Sequence, residues 1–190
     1  MKKVIVKTWL TDRDNLDYRL ASAGLQFGRG VWLHERVYLP HDYRPGTNMP
    51  RLVMRTEVHN VDQPASYAMY LKRHIEDSGV DWVNYTPVGD YTEASGIIHQ
   101  LGFRKKAEVS RRRQEIIVDS HTVMYLDRVE GAEGFFLKIE AELVENDSVE
   151  VLQSSLYRTL ARLGQKTFIT QTYAELLGEN PVQMQPYFLP

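Results

Sequence analysis

Two stretches decide how this chain reads: Ala107–Gln114 (AEVSRRRQ) and Met124–Glu142 (MYLDRVEGAEGFFLKIEAE). Side chains along a β-strand point alternately to its two faces. In the second stretch that rule puts Lys138, Glu140 and Glu142 on one face and Leu137, Ile139 and Ala141 on the other. In the first, Arg111 and Arg113 share a face. Each strand therefore has one charged face and one apolar or uncharged face. Charged faces of mixed sign, brought together, would line a polar cavity suited to an anion and a metal ion.

Working outward, the same alternation predicts strands over Lys2–Leu10, Val31–Leu39, Arg51–His59 and Val80–Val88, and favours a strand over a helix at Ala65–His74, where both are open. Phe103–Val118 and His121–Val129 read as a hairpin turned by Asp119-Ser120, and Phe135–Val144 as a further strand. Asp12–Ala23 has helical spacing at Leu16 and Leu20, with Gly24 as its stop. Asp90 with Glu93, and Asp147 with Glu150, have capping-box spacing at the starts of two more helices. The last helix spans Thr170–Leu177, and the proline-bearing tail 179–190 reads as irregular. Residues 1–178 form one domain on this reading. The class is α+β. An antiparallel eight-stranded barrel with a polar lumen is one arrangement of these strands, and a sheet with one solvated face is the other.

Composition narrows the function. The chain has 190 residues, 43% of them hydrophobic and 25% charged, which suits a soluble globular domain. A net charge of −2 gives no global electrostatic footing for nucleic acid or a membrane. The absence of cysteine removes disulfides, thiolate catalysis and thiolate zinc sites. No apolar run reaches membrane-spanning length and the N-terminus lacks a secretory pattern, so the expected location is cytoplasmic. No phosphate loop, dinucleotide fingerprint, nucleophile elbow or helical zinc-binding pair of histidines is present. His34 and His74 are candidate acid–base groups and Trp32 a candidate stacking surface, should they face a lumen; packing or solvated roles are the alternative.

With these strands in place, the chain resembles the CYTH superfamily, the triphosphate tunnel metalloenzymes, in its class IV adenylyl cyclase-like and thiamine triphosphatase-like branches. Leu101–Arg113 (LGFRKKAEVSRRR) resembles the family's run from a helix end into a basic strand. Leu126–Glu142 (LDRVEGAEGFFLKIEAE) resembles its hairpin and acidic strand, and Ile169–Leu177 (ITQTYAELL) its closing helix. Arg51–Glu57 and Tyr70–Arg73 (YLKR) follow its earlier basic strands more loosely. The resemblance implies an eight-stranded antiparallel tunnel holding a nucleoside triphosphate or another oligophosphate. It assigns phosphate contacts to Lys7, Arg51, Arg55, Lys72, Arg111 and Arg113, and a Mg²⁺ or Mn²⁺ ion to Glu140, Glu142 and Asp127. The chemistry is coherent: guanidinium forks pair with phosphate oxygens, and a hard divalent cation needs several oxygen ligands.

The chain also departs from the family pattern. The family's N-terminal E-x-E-x-K reads Lys3-Val4-Ile5-Val6-Lys7 here, and the first acid of its last E-x-E is Lys138. Two functions are therefore expected in parallel. One is a metal-dependent triphosphatase or adenylyl cyclase-like enzyme. The other is a non-catalytic nucleotide- or polyanion-binding relative that has lost its metal and needs no cofactor. Oligomeric state, a homodimer included, is left open by the sequence.

Overall fold

A computed structural model describes residues 1–10, 12–44, 49–60, 62–75, 80–178 and 184–186, the last three by backbone only. Eight strands close a barrel: β1 (Lys2–Leu10), β2 (Val31–Pro40), β3 (Arg51–Val58), β4 (Ser66–Ile75), β5 (Val80–Val88), β6 (Phe103–Ile117), β7 (Thr122–Val129) and β8 (Phe135–Glu142). Their order around the barrel is β1-β5-β4-β3-β2-β6-β7-β8, and β8 pairs with β1 to complete it. Every described pairing is antiparallel. The closed barrel, not the open sheet, is the arrangement this chain adopts.

The apolar faces of these strands point outward, and the helices cover them. Helices α1 (Arg13–Ser22) and α3 (Val149–Arg162) place Leu16, Leu20, Leu156 and Leu160 against Val4, Val6, Met124, Leu137 and Ile139 of the barrel wall. Helix α2 (Tyr91–Gln100) lays Ile98 on Tyr38, Leu52 and Met54 of β2 and β3. The main core thus lies between wall and helices. The opposite, inward faces are free to be polar.

One end of the barrel is stoppered. Val109, Val129, Phe136 and Trp9 turn inward there and pack on Ile169, Tyr173, Leu176 and Leu177. Those residues come from a short strand, β9 (Thr167–Ile169), and from helix α4 (Tyr173–Leu176) with its C-cap Leu177. The last helix is shorter than the expected 170–177. Its start is fixed by a reciprocal capping box in which Thr172 and Glu175 bond each other's backbone amides. A last strand, β10 (Met184–Pro186), pairs with β9, so part of the tail read as irregular is ordered; its remainder lies outside the described residues. The α3 cap also differs from expectation. Ser148, not Asp147, accepts from the Val151 amide, while Asp147 accepts from the Val144 amide in the turn before it.

Candidate functional site

The inward face of the barrel is built from alternate residues of each strand. From β1 come Lys3 and Lys7, from β2 Glu35, and from β3 Arg51, Arg55 and Glu57. Strand β4 adds Tyr70, Lys72 and His74, and β5 adds Asp81. Arg111 and Arg113 come from β6, Tyr125 and Asp127 from β7, and Lys138 and Glu140 from β8. Registers such as Arg51↔Lys72, Lys7↔Lys138 and Arg113↔Asp127 bring these positions side by side.

In the middle of the lumen each carboxylate is shared by two cations. Glu35 takes two bonds from Arg111, at 2.7 and 2.9 Å, and one from Arg55 Nε at 2.7 Å. Asp127, fully buried, receives both arms of Arg113 at 2.7 and 2.6 Å and lies 3.7 Å from Arg111 Nε. Tyr173 of the stopper adds a hydroxyl bond to Asp127 at 2.7 Å. Glu140 lies between Lys3, at 3.1 Å, and Lys138 in closer contact. Burial alone would raise these three carboxyl pKa values. Instead the neighbouring cations hold all three well below the usual carboxylate range: Arg111 and Arg55 at Glu35, Arg113 at Asp127, and Lys138 with Lys3 at Glu140.

Two lumen cations form no ion pair with a carboxylate among the described residues. Lys7 donates to the Gln171 carbonyl and sits 4.6 Å over the Tyr173 ring. Lys72 makes no hydrogen bond or ion pair among the described residues and stands 5.5 Å over the Tyr70 ring. Burial lowers both to about 7 from 10.5. Lys138 is lowered to about 8, by burial first and Arg113 next. The Arg111 Nε is buried without a hydrogen-bond acceptor, although most buried donors find one.

Every expected phosphate contact lies on the inward face, but they do not form one cluster. Lys7, Arg55, Lys72, Arg111 and Arg113 converge in the middle. Arg51 stands nearer a rim, 3.6 Å from Asp81. The metal candidates do not converge either. Asp127 is locked by Arg113 and Tyr173, Glu140 is bracketed by lysines, and Glu142 lies at a rim, 3.6 Å from His121. Glu140 and Glu142 do share a small cavity of about 70 Å³, but Lys3 lines it too. Among the described residues no group of three His, Cys, Asp or Glu side chains could hold a metal ion. A donor set whose charges are already matched by arginine and lysine does not fit a divalent cation. Of the other candidates, His74 shares the rim with Asp81 at 2.9 Å. His34 bonds Ser110 on the outer wall, and Trp32 is exposed there.

Sequence reasoning missed Glu35, although it anchors two of the expected arginines. The signal was present: on β2 the face of Val31, Leu33 and Val37 is apolar apart from this one acid. It also missed Arg29, which lines the open mouth. That mouth is a cavity of about 460 Å³ with Arg55 and Arg113 at its walls, together with Glu57 and Glu115.

No family model and no curated protein matches this sequence. Solved structures do match. The PH1819 protein of Pyrococcus horikoshii is 21% identical with a TM-score of 0.78, over 92% of this chain and 97% of that one. A putative adenylate cyclase from Vibrio parahaemolyticus is 13% identical with a TM-score of 0.74, again over 92% and 97%. A putative adenylyl cyclase from Hippeastrum, described as having a dominant triphosphatase activity, is 13% identical with a TM-score of 0.59, over 93% and 95%. No helix among the described residues is long and apolar enough to cross a membrane. The barrel and these likenesses give the chain the same fold as these solved structures, a closed eight-stranded antiparallel barrel, which is the architecture its sequence resemblance implies.

Proposed function

We propose that this protein binds an oligophosphate, such as a nucleoside triphosphate or inorganic tripolyphosphate, inside its barrel as a non-catalytic binding module. One observation carries the reading: the middle carboxylates are each shared by two cations, while Lys7 and Lys72 form no ion pair with a carboxylate among the described residues. A lumen with more cation than anion is electrostatically incomplete, and a compact polyanion completes it. The mouth offers Arg29, Arg55 and Arg113 against Glu57 and Glu115, an excess of one positive charge at the entrance. Turnover is a second reading, favoured by the likeness to the Hippeastrum protein with triphosphatase activity. The donor set argues against its metal-dependent form, because among the described residues no group of carboxylates is placed to hold the ion.

Calorimetric titration with tripolyphosphate and with ATP tests the binding. The expected result is saturable binding that weakens in Arg55→Ala. Lack of binding to either anion at low salt would refute it. Release of phosphate or formation of cyclic AMP from ATP, abolished by Lys72→Met, would replace the binding module with an enzyme.

A further inference from the structure

The expected metal position and the observed side chains disagree, and the disagreement has chemical content. A divalent cation beside a triphosphate does two separable things. It neutralises charge, and it polarises an oxygen or a water. An ammonium performs the first and not the second.

Here two ammoniums stand beside the one acid that remains of the strand's expected pair. Lys138 and Glu140 are neighbours on the inward face of β8, and Lys3 reaches the other Glu140 oxygen from β1 at 3.1 Å. Register places Ile5 opposite Glu140 and Lys3 opposite Glu142, so the β1 positions flanking these acids offer an ammonium and an alkyl chain. The small cavity between Glu140 and Glu142 is walled by Lys3 as well. A hard cation entering there would have to displace an ammonium from Glu140 and then sit within reach of Lys3 and Lys138. It would gain two carboxylates at most, with the rest of its shell left to water and phosphate oxygens, and both ammoniums would repel it.

We infer that Lys3 and Lys138 take the electrostatic place of the divalent cation, so that the tunnel accepts its oligophosphate bare rather than as a metal complex. This rests on the oligophosphate-binding reading for its ligand, but its metal-excluding half stands separately. The lysine pair neutralises phosphate charge at fixed positions on two adjacent strands. A ligand already wrapped around Mg²⁺ presents fewer free oxygens to those donors and carries a cation toward them. Free Mg²⁺ in solution therefore competes with the protein for the anion.

Two measurements test this. The first follows free Mn²⁺ by electron paramagnetic resonance as protein without phosphate is added. Wild type is expected to leave the signal unchanged, and Lys3→Glu to deplete it by gathering three carboxylates at the small cavity. Stoichiometric Mn²⁺ uptake by the wild type would overturn the inference. The second is calorimetric titration of tripolyphosphate in EDTA and in excess Mg²⁺. Affinity in EDTA is expected to equal or exceed that in Mg²⁺. Lys138→Gln, checked by circular dichroism for an intact fold, should weaken the EDTA binding by about tenfold. Binding that appears only with metal, or an unchanged affinity in folded Lys138→Gln, would overturn the inference and leave oligophosphate binding standing. Failure to bind in both buffers, with Mn²⁺ still excluded, would remove the oligophosphate reading and leave the metal exclusion.

Discussion

Replacing Lys72 by methionine should make the protein more stable and a poorer binder at once. Lys72 is held inside the barrel with no carboxylate partner, and burial lowers it to about 7 from 10.5. Lowering a lysine that far costs the fold about 4 kcal/mol at pH 7. The side chain is only partly covered, so water returns some of this, leaving about 1–3 kcal/mol. Methionine keeps most of the volume and removes the charge. At neutral pH, Lys72→Met should therefore melt roughly 3–10 °C higher than wild type. The sign of the pH dependence is fixed. The unfolded lysine keeps its proton up to its ordinary value, whereas the folded one loses it near pH 7. The cost is thus complete below pH 7, shrinks as pH rises, and vanishes near 10.5. The gap between variant and wild-type melting curves should close over that window. Losing one charge-assisted contact to phosphate should meanwhile weaken tripolyphosphate binding by about tenfold or more. Differential scanning calorimetry from neutral to alkaline pH, with titration calorimetry alongside, reads both. A lower melting point in Lys72→Met would mean that the lysine is already satisfied in the empty barrel, and the argument for a missing anion would fail.

Other consequences follow from the same geometry. Asp127→Asn removes the charge that holds both arms of Arg113, and should cost about 3 kcal/mol or more in chemical denaturation. Oligophosphate binding should raise the pKa of Lys7 and Lys72 from about 7 and so take up protons. Affinity should then fall as pH rises from 7 toward 10, and titration heats should vary with the ionisation enthalpy of the buffer; equal heats in phosphate-free buffers of different ionisation enthalpy would contradict this. Leu160→Ala, in the core between α3 and the barrel wall, should cost about 2–5 kcal/mol while leaving anion affinity unchanged in the folded protein.

Strand identity was legible because the alternation is strict where one face meets a helix and the other meets charge. Leu137, Ile139 and Ala141 are buried under helices, while Lys138 and Glu140 face inward, so the period-two pattern of β8 maps directly onto the wall. The same pattern misleads on β2, where Trp32, His34, Arg36 and Tyr38 make the outer face look like the functional one. Arg36 there reaches Glu108 and the Tyr91 hydroxyl, and Tyr38 packs beneath α2. A polar outer face and a largely apolar inner one reverse the usual inference, and Glu35 was lost in that reversal. The ion pairs were not legible either. Glu35 and Arg111 come from strands far apart in sequence, and their meeting depends on the register of β2 with β6. The strand β10 was hidden for a different reason, since three residues are too few to show a period.

The shared carboxylates also explain how the barrel tolerates so cationic a lumen. An isolated arginine buried in a barrel would destabilise it severely. Here Glu35 spans Arg111 and Arg55, and Asp127 spans Arg113 and Arg111, so the guanidiniums form a chain linked through carboxylates. Each fork is thereby fixed in direction before any anion arrives, which lowers the ordering cost of binding. On the proposed reading, the arrangement would work against a metal for the same reason that it would favour a bare anion. Acids committed to arginine have little charge left for a divalent ion, whereas a guanidinium bonded to a carboxylate through some of its five N–H donors would keep others for a phosphate oxygen. Carboxylates that would serve as ligands in a metalloenzyme act here as struts. Lys7 and Lys72, which no strut supports, are the positions where an oligophosphate would contribute most.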